Sequence, residues 1–502
     1  MPEGVSHLHV PRELAEPLSV RRDGVGRMLT HRLVSPDRSV VVPELDEHQR
    51  AVVDHPGGPL LVLAGPGTGK TTTLVEAIVD RIDNRGADPS TVLALTFSRN
   101  AAEQLRDRVT ARLGRTVSTP VAATFHSFAY QLVRRFAPHD LYEAPLRLLS
   151  TPEQDVVLQE LLSDAPESVR WPDSLRRAVG TRGFSREVLD VLARAREKGL
   201  EADDLVRLGT AADLPEYVAA GHFLEQYLTV LDSLGAIDYP DLIRRAVIEA
   251  EANAGELRGR FSHVLVDEYQ DSDPSQVQLL RALVGPGGNL TVVGDPHQSI
   301  YGFRGADVRG ILDFPSDFTT ADGAAARVVV LRRTRRFGPH LLLAAQRVAR
   351  RIPLPGAIPP AARDDFLHPQ ADTAQGPGRV EAITFSTERS EAEHIADLLR
   401  RAHLEDGVAW QDMAVLVRSG RSTIPGLRRS LAAAGVPVDV ASDDTPLVRE
   451  PAVEPLLAAL RLVLHHDADP TSPDHVDAES VQSLLGSPLA GLDVTEDRKS
   501  VV

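Results

Sequence analysis

The sequence predicts an α/β protein built on mainly parallel sheets in two domains, the second incomplete, with helical insertions. Three observations predict it. An apolar run, GPLLVLAG (Gly58–Gly65), opens into a glycine-rich loop and then a helical pattern, TTTLVEAIVDRI (Thr71–Ile82). A strand followed by a polar or acidic loop returns at His263–Gln276 and at Asn289–Asp307. Strand-then-helix patterning appears again from Val380 to Gly435, whereas 136–235 is helical by pattern.

A chain of 502 residues is too long for one core. With 42% hydrophobic and 25% charged residues its composition is that of a soluble globular protein. No apolar run reaches the roughly eighteen residues of a membrane span. The N-terminus lacks the basic-then-apolar layout of a signal peptide. The chain has no cysteine, which excludes a disulfide frame, a thiol nucleophile and a thiolate metal site. A cytoplasmic protein without membrane contact is the expectation. The net charge of −16 argues against a surface that is basic all over but leaves room for a locally basic groove. Only Lys70, Lys198 and Lys499 are lysines; the other basic residues are arginine, as a GC-rich genome would give. One of those three lysines sits in the glycine-rich loop.

That loop runs Ala64, Gly65, Pro66, Gly67, Thr68, Gly69, Lys70, Thr71, Thr72. Its glycines let backbone N–H groups curl around an anion at a helix N-terminus. Lys70 would reach the β- and γ-phosphates of a nucleotide, and the Thr71 hydroxyl would sit on Mg²⁺. ATP with Mg²⁺ is the expected ligand, although Ala64 stands where the strict G-x-x-x-x-G-K-[ST] pattern has glycine. The loop alone does not separate a kinase, a GTPase or a motor. In HVLVDEYQDSDPSQ (His263–Gln276), Asp267 would hold Mg²⁺ and Glu268 would activate the attacking water. In NLTVVGDPHQSIYGFRGAD (Asn289–Asp307), Gln298 is placed to sense the γ-phosphate. Behind it, Tyr301, Phe303 and Arg304 suit base stacking with a phosphate contact, or equally a core aromatic pair beside a surface arginine.

Taken together, these blocks resemble the UvrD/Rep/PcrA-type superfamily 1A DNA helicases. LDEHQRAVV (Leu45–Val53) looks like that family's Q motif, LAGPGTGKT its Walker A form, where the first-position alanine is normal. LTFSRNAAEQLRDRV (Leu95–Val109) and ATFHSFAYQLVRR (Ala123–Arg135) look like motifs Ia and Ib, VDEYQD like Walker B, and VGDPHQSIYGFRGAD like motif III. IDYPDLI (Ile237–Ile243) matches a short acidic block found just before Walker B. The resemblance implies that Gln49 reads the adenine edge. It places Thr96, Ser98, Arg99, His126, Tyr301 and Phe303 along a single-stranded DNA path, although His126 alone could equally be a satisfied hydrogen bonder. Motif IV departs from the family pattern: LRRTRRF (Leu331–Phe337) puts Arg336 on the arginine expected at the γ-phosphate, but Arg335 where a tyrosine would stack on adenine. A guanidinium can lie flat on a purine, so Arg335 remains a nucleotide-binding candidate. HPGGPLLVLAGPGTGKTTTLVEAIVDRI, ATFHSFAYQLVRRFAP, LRLLSTPEQDVVLQELL and LLGSPLAGLD look closest to the AdnA subunit of AdnAB-type helicase-nucleases, which implies double- and single-stranded DNA and a second, AdnB-like subunit as partners.

The expected organisation follows. Residues 1–42 are a lead. Residues 43–135 and 236–312 form a first RecA-like domain, and 136–235 are its helical accessory insertion. Residues 313–445 belong to a second, partial RecA-like domain, and 446–496 begin a second helical insertion. Motifs V and VI and a nuclease acidic cluster are not found. The terminal DRKSVV does not read like its surroundings; natural sequence is expected to end near Glu496, with 497–502 a read-through, or else the end is genuine. The 502-residue chain is therefore expected to be a poor ATPase by itself. Two rivals stand beside the motor: a nucleotide- and DNA-binding scaffold subunit without motor activity, and a different P-loop enzyme such as a kinase.

Overall fold

The computed structural model describes residues 42–115, 122–136, 147–164, 169–302, 305–372, 374, 376–439, 453–466, 469, 472, 475–476 and 478–485. The chain divides into two compact units, one up to Val380 and one from Glu381.

The first unit is built on a parallel sheet. Its strands are β1 (Leu60–Ala64), β2 (Val92–Thr96), β3 (Ala122–Thr124), β6 (His263–Val266), β7 (Leu290–Gly294) and β8 (Arg327–Leu331), with the two-residue β4 (Arg147–Leu148) and β5 (Ala236–Ile237) pairing apart from it. The order is β3-β2-β6-β7-β1-β8, every pairing parallel. The central strands read as nearly continuous apolar runs because both faces are covered. On β1, Leu61 and Leu63 face one core and Leu60, Val62 and Ala64 the other. Helices α1 (Glu47–Val53), α2 (Lys70–Val79) and α3 (Arg99–Leu113) cover the second face. Helix α4 (Phe125–Phe136) is among those that cover the first.

The helical insertion has a core of its own. It comprises α5 (Thr151–Ser163), α6 (Arg182–Glu197), α7 (Ala202–Ala212) and α8 (Pro215–Ser233), packed around Leu158, Phe184, Leu192, Phe223 and Tyr227. A Cβ on Gly221 would lie 2.7 Å from the Ala202 carbonyl oxygen, so α7 and α8 can approach this closely only with glycine there. Returning to the sheet, α9 (Tyr239–Ala252), α10 (Ala254–Arg260), α11 (Pro274–Val284) and α12 (Arg309–Asp317) finish the first face. A buried ion pair joins insertion and core: Arg196 at the end of α6 meets Asp238 before α9 at 2.7 Å, both side chains 1% exposed. The Tyr227 hydroxyl donates to the same carboxylate at 3.2 Å.

Strand β8 lies within 313–445, the stretch assigned from sequence to a second domain, yet it pairs with β1 along its whole length, Leu60 opposite Arg327 and Ala64 opposite Leu331. After it come β9 (Arg333–Thr334), α13 (Pro339–Ala349), α14 (Pro360–Leu367) and β10 (Gln370–Ala371), with β9 and β10 paired in parallel.

In the second unit, α15 (Glu388–Leu404) and α16 (Gly420–Ala433) pack on a small cluster of Ala396, Leu431 and Val436. Further on are α17 (Glu454–Leu464) and α18 (Ala478–Leu485). The strand expected to precede α15 and the apolar run Met413–Ser419 do not form ladders among the described residues. Without a neighbouring strand, an extended run lacks the ladder bonds and the packed face that would hold it as a strand. No helix among the described residues is long and apolar enough to cross a membrane.

Candidate nucleotide site and adjoining cleft

The glycine-rich loop leaves the C-terminal end of β1 and enters α2 at Lys70. Gly67 and Gly69 adopt φ of 76° and 90°, left-handed conformations that a side chain would strain. The first-turn N–H groups of α2 have no carbonyl one turn back to bond, and they stand at the positive end of the helix, the electrostatic setting for a phosphate. Thr68 Oγ1 donates to the Gly65 carbonyl at 2.8 Å and Thr73 Oγ1 to that of Gly69 at 2.8 Å.

The loop is held from behind. Thr334 Oγ1 donates to the Pro66 carbonyl at 2.8 Å and the Arg335 N–H to the Gly67 carbonyl at 2.8 Å. Arg335 and the Gln49 amide both donate to the Thr68 carbonyl, at 3.4 and 3.3 Å. Three successive carbonyls are thus occupied. Gln49 also accepts from the Asp46 N–H at 3.1 Å, closing a capping box on α1, so both ends of its amide are bound within the protein. Arg335 is anchored by Asp46 at 2.7 Å. Burial pushes the Asp46 carboxyl up, but the Gln49 N–H and Arg335 outweigh it and hold it below the usual carboxylate range. Arg336 is exposed beside Gly67.

Two strands away, β6 ends in Asp267 and Glu268. Lys70 Nζ and Glu268 Oε2 are 3.0 Å apart. Glu268 has φ 51°, one of two non-glycine residues with positive φ among the described residues. A conformation of this kind costs about 1–3 kcal/mol and persists where surrounding contacts impose it. Here they do: its N–H donates to Asp267 Oδ1 at 3.0 Å, and its carboxylate is gripped by Lys70 and by Gln270 Nε2, the latter at 2.9 Å. Asp267 is buried, and burial together with the neighbouring Glu268 charge pushes its carboxyl up to about 6. A buried carboxylate of this kind, beside a second one, is a donor set that a divalent cation would satisfy. From β7, between β6 and β1, Asp295 accepts from the His297 N–H at 2.9 Å and from Gln298 Nε2 at 2.5 Å. The structure thus brings Lys70, Thr71, Asp267, Glu268 and Gln298 to the C-terminal ends of adjacent parallel strands, where open α/β sheets bind ligands.

The other candidates gather around a cleft of about 1150 Å³ between the sheet and the helical insertion, lined by Phe97, Arg99, His126, Arg194 and Glu197 among others. Thr96 ends β2 and its hydroxyl donates to the Ser98 carbonyl at 3.1 Å; Ser98 in turn caps α3 through the Ala101 N–H at 3.1 Å. Arg99 is exposed. Tyr301 stacks on Phe97 with ring centroids 4.7 Å apart and planes 26° apart. His126 meets Tyr239 edge-on at 5.2 Å, and burial pushes its imidazole down to about 4, so it faces the cleft neutral. Phe303 and Arg304 lie outside the described residues.

Sequence reasoning missed several participants. Phe97 lies between two residues it named, and an aromatic at a strand end is the signal that could have found it. Gln270 sits inside VDEYQD, between the acids. Arg194, which donates to the Gly302 carbonyl at 2.7 Å, and Thr334 carried no local signal.

With this geometry in hand, the comparisons are specific. Residues 45–319 match the UvrD/REP helicase N-terminal domain. The chain is 29% identical over 459 residues to the ATP-dependent DNA helicase UvrD1 of Mycobacterium tuberculosis, covering 89% of this chain and 55% of that protein. It is 29% identical over 475 residues to UvrD1 of Mycobacterium leprae, covering 91% and 56%. With the ATP-dependent DNA helicase PcrA of Staphylococcus epidermidis it shares 26% identity over 460 residues, covering 90% and 57%. The chain spans about half the length of the curated relatives it matches. The family model covers more than half of the chain, and its residues 45–319 run from the capping box of α1 past the Tyr301 stack, so the chain belongs to the UvrD/REP helicase family.

Proposed function

We propose that this chain carries the ATP-hydrolysing, DNA-gripping core of a 3′→5′ helicase or translocase that acts on single-stranded DNA in cytoplasmic DNA repair and recombination, at double-strand break ends, beside an AdnB-like second subunit. The observation that carries the reading is the Lys70–Glu268 pair at 3.0 Å, with Asp267 buried beneath it and an aromatic-lined cleft on the neighbouring strand ends. Lys70 and the N–H groups of the first turn of α2 would hold the phosphates of ATP. Thr71 and Asp267 would hold Mg²⁺, which when bound supplies positive charge against the phosphate oxygens. Glu268 takes the proton of the attacking water, and Gln298 and Arg336 are the candidates for sensing the γ-phosphate. Thr96, Ser98 and Arg99 would take DNA phosphates, while the Phe97–Tyr301 stack offers a sequence-tolerant platform of about 1–3 kcal/mol per base. The AdnA-type assignment and the partner that goes with it rest on the sequence blocks, and the polarity rests on the resemblance to superfamily 1A helicases.

One observation favours the scaffold reading. Arg335 replaces a stacking tyrosine and is committed to Asp46 and to the phosphate loop. Hydrolysis separates the two readings. Single-stranded DNA should stimulate ATP turnover, which starts from a low level in the 502-residue chain by itself. Glu268→Gln should lower that turnover by about 10²–10⁴-fold with ATP binding retained, the range typical of a lost general base. Lys70→Ala should lose binding and turnover together. Undiminished DNA-stimulated turnover in Glu268→Gln would refute the assignment.

A further inference from the structure

We propose that Gln270 is the positioning residue that couples the hydrolytic carboxylate to the DNA-stacking segment; the inference rests on the helicase reading and deepens it. Gln270 is 1% exposed, and both ends of its amide are in use. Nε2 donates to Glu268 Oε2 at 2.9 Å and reaches Asp271 Oδ2 at 3.4 Å. Oε1 accepts from the N–H of Asp295, the first residue beyond β7, at 2.9 Å. The main-chain carbonyl of Gln270 accepts from Ser299 Oγ at 3.2 Å. Ser299 stands two residues before Tyr301, which is stacked on Phe97 at the cleft. One residue therefore touches the base on one side and the start and middle of the 295–301 turn on the other.

The connection has no slack. A Cβ on Gly294 would lie 2.7 Å from Gln270 Oε1, so the end of β7 is pressed against the amide. Glu268 is already in a left-handed conformation and is held from its other side by Lys70. If the turn shifts when a base inserts beside Tyr301, then either the amide loses the Asp295 N–H or it carries the Glu268 carboxylate with it. A buried amide left with an unmet group is costly, so the carboxylate follows. By reciprocity, whatever displaces Lys70 from Glu268 alters the affinity for DNA by the same factor. Gln298 is less suited to this task, because its amide nitrogen is turned to Asp295 within its own turn.

The test is linkage between ligands, which needs no turnover. The dissociation constant of the 502-residue chain for fluorescent oligo(dT) is measured with and without a saturating non-hydrolysable ATP analogue and Mg²⁺. The native chain should show a ratio of at least about fivefold, and the nucleotide affinity should shift equally on adding DNA. In Gln270→Met, which fills the space but bridges nothing, the ratio should fall to near one while each ligand alone still binds within about threefold of native, a split that general destabilisation would not give. Ser299→Ala, a mild change that cuts only the second contact, should reduce the ratio part way. A native ratio of one, or an undiminished ratio in Gln270→Met, overturns the proposal. Should Gln270→Met not fold, an unchanged ratio in Ser299→Ala overturns it. A chain that binds neither ligand removes the helicase reading itself, whereas binding of both without linkage removes only this inference.

Discussion

The first unit and the second answer the same kind of sequence differently. LLVLA (Leu60–Ala64) and MAVLV (Met413–Val417) are both short, apolar and followed by a helix. In the first unit the run becomes the strand between β7 and β8, and Leu63 is 0% exposed. In the second the run joins no ladder among the described residues, and Leu416 is 93% exposed. Local pattern proposes a strand, but the neighbours decide it, because the ladder and the two packed faces are long-range contacts. The helices are less sensitive to this: α15 forms with its Thr387 cap regardless, since its backbone bonds are internal.

The largest expected effect tests that contrast directly. Leu63→Asp should unfold the first unit, because it places a carboxylate between two packed layers with no partner, at a cost above about 4 kcal/mol. Leu416→Asp should change stability by less than about 0.5 kcal/mol. Urea unfolding followed by circular dichroism compares the two; equal effects would mean that the 413–417 run is buried in solution.

A second comparison concerns charge. Asp238→Asn keeps the shape of the side chain but removes the carboxylate that directly pairs with buried Arg196, which should cost about 3–5 kcal/mol. The loss should appear as a lower urea midpoint. It should also speed amide exchange in α6 and α9, the helices that the pair ties together. A neutral outcome would show that the pair is dispensable to the join between insertion and core.

The third prediction has the opposite sign. Asp267 titrates at about 6 in the folded chain instead of near 3.8, so above pH 6 the fold bears the full cost of keeping it ionised. Between these values the folded state binds more protons than the unfolded one, and stability falls as pH rises from about 4 to 6. Asp267→Asn should therefore stabilise the protein at pH 7 by about 1–3 kcal/mol, since each pH unit separating the folded and unfolded titrations is worth about 1.4 kcal/mol before the surroundings relax. ATP turnover should be lost at the same time. Thermal melts at pH 5 and pH 7 read the effect: the gain should be larger at pH 7. Destabilisation by the asparagine would mean that the carboxylate is satisfied in a way its surroundings do not indicate.

These sites differ in how far the sequence alone reveals them. Lys70, Thr71, Asp267 and Glu268 are legible because their chemistry is encoded by spacing at strand ends. The parallel sheet was legible for the same reason, since each strand runs straight into its loop. The clasp of Thr334 and Arg335 on the phosphate loop was not, because it depends on β8 lying beside β1, and nothing local in 327–331 says which strand it will pair with. Gln270 was overlooked just beyond Asp267 and Glu268, whose roles were easier to name; its importance comes from Asp295 and Ser299, more than twenty residues away in sequence. The strands expected within 380–419 were drawn from pattern alone, with no partner in view.

The smallest effect closes the comparison of charges. On α15 of the second unit, Arg389 and Glu393 form an i,i+4 pair at 2.8 Å, with side chains 86% and 60% exposed. Its geometry is as short as that of the buried Arg196–Asp238 pair, so distance alone would rank the two together. Exposure ranks them apart: water solvates both ions whether or not they meet, and salt screens what attraction remains. The pair also runs arginine before glutamate, the less favourable order for the helix dipole. Glu393→Gln should therefore alter stability by no more than about 0.5 kcal/mol, and by less at high salt. A loss approaching that of Asp238→Asn, measured by the same urea titration, would mean that Glu393 contacts something beyond Arg389, and that this face of α15 is covered in solution.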